Sequence, residues 1–289
     1  MKRALVLGGG GPIGVYWESG VARGLYESGF PLDSVEMIVG TSAGAYVGAQ
    51  LAKGEVPELS QPHGERSDLD LGDRRRVLAE RMKRDAQTIG EIFRIWSAMQ
   101  LTTAEHVQAI GRLVRSLDRS GEDEWIEQTR ASTPVTEWPE RRLCVVAVDT
   151  ESGERRVFER DDGVPLTRAI AASSAVPGLF PAVEIQGRIY MDGQVHSSTN
   201  ADLLLPHCPA QLLIAMPTNA ATGRGIGPHA ERMLAQEVAA LRAGGCDVRI
   251  CTPGSADTQR MGNNLMDYAR GPDAYAVGLE AGRVWAGEL

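Results

Sequence analysis

Residues 40–44 read Gly-Thr-Ser-Ala-Gly, directly after an apolar β-like run, residues 35–39, and directly before a helix-forming stretch, residues 43–52. A serine at the tip of a strand–turn–helix is the setting of a nucleophile elbow, which holds the hydroxyl in the open at a helix N-terminus. Such a turn is crowded, so Gly40 and Gly44 must be small to let backbone and substrate approach Ser42. The chemistry on offer is acyl transfer. Attack of the Ser42 hydroxyl on an ester carbonyl builds an oxyanion that preorganised backbone N–H groups can stabilise. A loop able to supply those donors lies upstream at Gly8 to Gly11. Gly9, Gly10 and Gly11 carry no side chains to fend off a substrate oxygen, and Gly14 opens the helix that follows.

A serine hydroxyl is a weak nucleophile without a base. The histidines are His63, His106, His196, His207 and His229, and among the carboxylates Asp192 stands on a turn before Gly193. A Ser–Asp–His order can be assembled from Ser42, Asp192 and His207 or His229. The nucleophile falls only two strands into the chain, however, and no histidine occupies a convincing strand-end loop. The loop also satisfies a second pattern, Gly9-x-Gly11-x-x-Gly14 after a first strand, the dinucleotide-binding fingerprint. That reading needs an acid at the end of the second strand to hold the ribose. Here the strand ends Ile38-Val39-Gly40, and the nearest acids, Asp33 and Glu36, fall before or inside it.

Taken together, the glycine loop at Gly9–Gly14, the elbow at Gly40–Gly44 and Asp192-Gly193-Gln194 resemble the ordered motifs of the patatin-like phospholipases. The run from Ala172 to Pro181 and then from Gly187 into Asp192 is similar to that family's approach to its aspartate, and residues 262–267 with Arg270 resemble the C-terminal sequence of bacterial members. The resemblance spans most of the chain except about 55–135. It implies a serine acyl hydrolase acting on lipid or other carboxylic esters through a Ser42–Asp192 dyad, with Asp192 as base and then acid and Gly9, Gly10 and Gly11 as the oxyanion hole. Gly14, Gly40, Gly44 and Gly193 would support loop, elbow and turn. No metal and no organic cofactor is implied. Two positions depart from the pattern: Ile13 stands where many members carry Arg or Lys, and Gln194 where they carry Gly or Ala. These departures define the alternative, an acyl-chain or membrane-surface binding protein of the same fold without turnover.

The elements that must position these residues follow from the hydrophobic pattern. Residues 3–8 read as a buried strand, 14–28 as a helix closed by Gly29, 35–39 as a second strand, and the stretch to about Lys53 as a second helix. Strand–loop–helix–strand–elbow–helix is the signature of a parallel sheet covered by helices. Residues 54–76 read as a surface loop, with Arg74-Arg75-Arg76 a solvated face. From about 75 to 128 the pattern turns helical, with Ile89, Ile92, Phe93 and Trp96 on one face for core packing or for a lid. Trp125 and Trp138 would pack a small satellite core. Further strands are expected at 143–148, 154–158, 188–191, 211–215 and 247–251, and helices at 165–174 and 228–243. The expected architecture is one α/β domain, residues 1–289, a three-layer α/β/α fold with a mostly parallel central sheet and a helical insertion or lid at 55–135.

Composition narrows the partners. A chain with 43% hydrophobic and 24% charged residues is of globular type, and no run approaches the roughly 18–20 apolar residues of a membrane span. The apolar stretch Ala4 to Leu7 is too short for a secretory signal, so a cytoplasmic protein is expected, with at most transient peripheral contact with a membrane. A net charge of −8 argues against sequence-independent nucleic-acid binding. Cys144, Cys208, Cys246 and Cys251 show no metal-ligand spacing and are expected as thiols.

Overall fold

A computed structural model describes residues 1–59, 80, 82–221 and 225–289; His63 and the Arg74-Arg75-Arg76 run lie outside them. In chain order the strands are β1 (Arg3–Leu7), β2 (Met37–Thr41), β3 (Arg142–Asp149), β4 (Arg155–Phe158), β5 (Val183–Ile185), β6 (Arg188–Asp192), β7 (Gln211–Ala215) and β8 (Asp247–Cys251). The helices are α1 (Gly11–Glu27), α2 (Ala43–Lys53), α3 (Ala86–Ala98), α4 (Ala104–Ser116), α5 (Glu122–Ser132), α6 (Leu166–Ser173), α7 (Gly227–Ala243), α8 (Ser255–Met261) and α9 (Gly271–Ala286).

Among the described residues the strands form one sheet in the order β5-β6-β3-β2-β1-β7-β8, with β4 also on β3. β3, β2, β1, β7 and β8 run parallel; at one side β4 and β6 pair antiparallel with β3, and β5 pairs antiparallel with β6. The central strands are apolar throughout because both faces are covered. Alternate residues point to opposite faces. Leu5, Leu7, Ile38, Val145 and Leu213 therefore pack with Trp17 of α1, Val47 of α2, Ile170 of α6 and Val277 of α9. Ala4, Val6, Val39, Val146, Leu212 and Ile214 pack on the other side with Leu234, Val238 and Leu241 of α7. The result is a three-layer α/β/α arrangement with a mostly parallel sheet.

Between α2 and β3, helices α3 and α4 build a third cluster. Ile92 and Trp96 of α3 and Val107 and Ile110 of α4 pack against Met191 and Val195, on either side of Asp192. The apolar face of α3 is thus turned inward, with Ile89, Ile92 and Trp96 buried. Trp125 and Trp138 join the principal core rather than a satellite. Trp125 stacks on Phe180 at 4.1 Å and donates its indole N–H to Ala171 O. Its ring is large enough to bridge α5 to the main body, which is why a separate small core does not form.

α1 begins at Gly11, earlier than its hydrophobic pattern suggests. Gly11 takes φ +57°, and Pro12 fits the first turn, where no N–H is needed. β2 runs on to Thr41, because Gly40 and Thr41 still pair with Val145 and Val146 of β3. No helix among the described residues is long and apolar enough to cross a membrane.

α1 is locked by α9, the last helix. The two meet through glycines on both sides: a Cβ on Gly20 would fall 2.2 Å from Tyr275 O, on Gly24 2.4 Å from Leu279 O, on Gly278 2.0 Å from Trp17 O and on Gly282 2.2 Å from Val21 O. Backbone therefore touches backbone along the seam, and any side chain must push the helices apart. Gly278→Ala is expected to cost about 1–3 kcal/mol by overpacking. Gly90→Ala, on an exposed face of α3 with nothing within 4 Å, should gain roughly 0.5–1 kcal/mol from reduced chain entropy. Urea denaturation of the two variants checks both signs, and equal midpoints would contradict the seam.

Candidate active site

The carboxyl ends of β1 and β2 lie side by side, with Leu7 paired to Gly40. The glycine loop leaves one end and the elbow leaves the other. Ser42 has φ +52° and ψ −114°, a backbone region that residues with side chains avoid, at an expected cost of about 1–3 kcal/mol. Its neighbours account for its tolerance. A Cβ on Gly44 would fall 2.1 Å from Leu7 O, and one on Gly40 would fall 2.6 Å from Gly44 O. The Gly44 N–H donates to Gly8 O, tying elbow to loop. Ser42 N–H, turned out of the sheet, donates to the Ser173 hydroxyl at 2.9 Å, and that hydroxyl donates to Val146 O at 2.6 Å. Ser173, at the end of α6, thus replaces the strand bond that the elbow gives up.

Asp192 arrives from the far side of β3. β6 runs antiparallel and sets Asp192 opposite Ala147, next to Val146, the partner of Thr41. The chain then turns at Gly193, where a Cβ would lie 2.4 Å from Val146 O and 3.1 Å from Thr41 Cγ2. That close seat folds the turn over the end of β3 toward the elbow. Asp192 is fully buried and Ser42 is 2% exposed. Asp192 Oδ1 accepts the Gln194 N–H at 2.8 Å, while Oδ2 is buried without a hydrogen-bond partner among the described residues. Burial pushes the carboxyl up to about 7, opposed by the Gln194 amide and by the Ser42 hydroxyl. The Ser42 hydroxyl and the Asp192 carboxyl therefore lie near one another, with the carboxyl raised toward neutral pH by burial.

The histidines are not part of this pair. Among the described residues, none of His106, His196, His207 and His229 hydrogen-bonds to Ser42 or Asp192. His196 and His229 are both lowered to about 4 by burial, and His229 Nε2 lies 3.0 Å from the Thr102 hydroxyl. Thr102 also donates to His196 O, so these groups fasten the start of α4 to the segment after Asp192.

The amides of the glycine loop differ in their hydrogen bonding. The Gly9 N–H is already committed, donating to Ser198 O at 2.9 Å, so Gly9 cannot serve as a free donor in this arrangement. The amides of Gly10 and Gly11, and that of Ala43 after the nucleophile, donate to no group among the described residues. Gly14 packs against Ala43 Cβ at what would be 3.0 Å, letting α1 cross close to α2. Ile13 is buried in the core, and its N–H donates to Leu265 O. Its side chain packs within the principal core cluster. Gln194 folds its side chain across Gly9.

Several supporting residues carry no motif. Asn200, at φ +51°, donates to the Thr41 hydroxyl at 3.0 Å and to Ser197 O at 2.7 Å, bracing the last residue of β2. Glu237 of α7 accepts from the Thr199 hydroxyl and from Ala201 N–H, and burial raises its carboxyl to about 7. Thr218, three residues past β7, had a usable signal in its place at the carboxyl edge of a parallel sheet, where sites form.

Residues 5–205 match the family described as Patatin-like phospholipase. The chain belongs to the patatin-like phospholipase family. Ser42, Asp192 and the glycine loop all lie inside the matched region. Membership supports lipid hydrolase activity at the level of the family. Over 194 residues, 65% of its length, this patatin-like chain is 29% identical to Lysophospholipase NTE1 of Candida glabrata, of which it spans only 9%. It is also similar to two solved structures. VipD from Legionella pneumophila shares 14% identity at a TM-score of 0.45, covering 99% of this chain and 67% of that one. The type III effector protein ExoU shares 15% identity at a TM-score of 0.43, covering 99% and 53%.

The buried carboxyl has a measurable signature. Unfolded, Asp192 would titrate near ~3.9; folded, it titrates at about 7. Between these values the folded state holds a proton that the unfolded state has released, so stability falls as pH rises through the window. Asp192→Asn keeps an oxygen for the Gln194 amide and carries no charge. Its melting temperature relative to wild type should therefore be higher at pH 8 than at pH 4. A difference independent of pH would mean that the carboxyl is not held neutral by burial.

Proposed function

We propose that this chain is a serine-dependent acyl hydrolase, a carboxylic ester hydrolase of phospholipase A type, working through a Ser42–Asp192 dyad. The observation that carries the reading is the buried Asp192 carboxyl, raised to about 7 and acted on by the Ser42 hydroxyl, with no histidine among the described residues bonded to either. An aspartate at its ordinary value would be a poor base. Raised toward the working pH, it becomes a useful one. Ionised Asp192 takes the proton from Ser42 Oγ as that oxygen bonds to the acyl carbon, and the carbonyl electrons move to oxygen. The free amides of Gly10, Gly11 and Ala43 are the donors available to that oxyanion. Collapse breaks the bond to the leaving alcohol, which takes the proton from Asp192. Water, deprotonated by Asp192, then attacks the acyl carbon; collapse breaks its bond to Ser42 Oγ, which takes the proton back from Asp192, and the acid is released.

We read residues 1–289 as a single patatin-like domain and 55–135 as its helical insertion, a cover over the dyad. α3 and α4 pack against Met191 and Val195 beside the buried aspartate, which supports that reading. Lipid or another acyl ester is the substrate class, met by transient peripheral contact with a membrane.

The test is release of p-nitrophenol from short- and long-chain p-nitrophenyl esters. Wild type should turn over, Ser42→Ala should not, and Asp192→Asn should lose roughly 10²-fold or more. The log of kcat/KM should climb with unit slope on the acid side and level off above pH about 7, since only ionised Asp192 accepts the proton. Activity surviving in Ser42→Ala would remove the elbow from the mechanism. Absence of turnover on every chain length, with no labelling of Ser42 by a fluorophosphonate, would leave the acyl-chain binding reading.

A further inference from the structure

The peptide joining Gly9 to Gly10 is gripped from one side by two residues that the hydrolytic scheme does not use. Thr218, three residues past the end of β7 and completely buried, donates its hydroxyl to Gly9 O at 2.6 Å. Gln194 is 5% exposed and lies across Gly9, where a Cβ would fall 2.5 Å from its Oε1. The Gln194 carboxamide Nε2 donates to the Thr218 hydroxyl at 3.4 Å, and the Gln194 backbone N–H donates to Asp192 Oδ1 at 2.8 Å. One path of contacts therefore runs from Asp192 through Gln194 and Thr218 to the loop.

The geometry of a peptide gives that path a direction. In a trans peptide the C=O and the following N–H point opposite ways, and no cis peptide occurs among the described residues. Holding Gly9 O toward Thr218 aims the Gly10 N–H away from it, and that N–H donates to no group among the described residues. Gly10 cannot rock aside. A Cβ there would lie 2.4 Å from Pro217 Cγ and 2.9 Å from Gly14 Cα, so the loop is wedged between Pro217 and α1. A hydroxyl that accepts from an amide is polarised into a better donor, so Gln194 strengthens the grip of Thr218 on Gly9 O.

We infer that Thr218 and Gln194 are positioning residues that aim the Gly10 amide at the oxyanion formed on Ser42, an inference that rests on the hydrolase reading above. Gln194, the position where this chain departs from a small residue, is thereby given a task that Gly or Ala lacks the reach to perform.

The experiment compares Thr218→Val, Thr218→Ser and Gln194→Met with wild type and Ser42→Ala, measuring kcat, KM and melting temperature with a p-nitrophenyl ester. Thr218→Val keeps the shape and removes the hydroxyl. It should lower kcat by roughly 10- to 100-fold with KM little changed, as expected for a misaimed oxyanion donor. Thr218→Ser, which restores the hydroxyl, should stay close to wild type, and Gln194→Met should fall between the two. The rate of Ser42 labelling by a fluorophosphonate should follow the same order, because the phosphonyl oxygen meets the same donors. Wild-type turnover in Thr218→Val, or a Thr218→Ser variant as slow as Thr218→Val, would overturn the inference, the second result pointing to packing of the methyl group. Should Thr218→Val fail to fold, Gln194→Met decides: reduced kcat at unchanged KM supports the path and wild-type kcat overturns it. A wild type with no Ser42-dependent turnover or labelling would instead sink the hydrolase reading and this inference with it.

Discussion

The backbone of Ser42 is held at positive φ, and most of what surrounds it serves to keep it there. A turn that sharp can form only if the chain passes close to its neighbours, hence glycine at 40 and 44, with Gly44 pressed on Leu7 O. The turn also strips Ser42 N–H of its place in the sheet, and the buried hydroxyl of Ser173 restores it. Strain of this kind persists only when the rest of the fold over-determines it. Here the parallel register of β1, β2 and β3 supplies the frame, and Asn200 clamps Thr41 immediately before the turn.

The second demand on the fold is to tolerate a carboxyl in a dry place. Burial makes the charge of Asp192 unfavourable, and the Gln194 amide and the Ser42 hydroxyl compensate only in part. Among the described residues no cation is paired with it; one would stabilise the fold but return the group to a weak base. A similar arrangement recurs at Glu237, whose buried carboxyl is raised while it braces the segment carrying Asn200. The site thus stands on two carboxyls that the fold holds at some expense of stability, one at the chemistry and one behind it.

Much of this was legible in the sequence where local pattern and structure coincide. The strands 211–215 and 247–251 fall where their apolar runs predict, as does the inward face of α3 carrying Ile89, Ile92 and Trp96. Boundaries shifted where backbone chemistry, rather than hydrophobicity, sets them. α1 starts at Gly11 because Pro12 needs no N–H donor partner there, and β2 outlasts its apolar run because pairing with β3 carries it through Gly40 and Thr41. β5 escaped notice because a three-residue strand carries almost no period. Around the elbow, residue spacing pointed to Ser42, Asp192 and the glycine loop, but not to which loop amides stay free. That depends on Ser198 O reaching Gly9, a contact across 189 positions that no local pattern encodes. Ser173 and Asn200 were hidden for the same reason: each braces the site through hydrogen bonds that reach strands distant in the sequence.

The seam between α1 and α9 bears on how the chain is made. The loop that faces Ser42 sits at the head of α1, and α1 is held from above by Leu265 O and along its length by Gly278 and Gly282. Those contacts join residues some 250 positions apart in the sequence. A chain emerging from the ribosome N-terminal end first can pair β1 with β2 and lay α1 on them early, yet the other side of α1 stays uncovered until α9 has left the exit tunnel. The serine and its aspartate are therefore synthesised well before the loop above them can settle. The glycine seam is thus among the later contacts that a nascent chain can close.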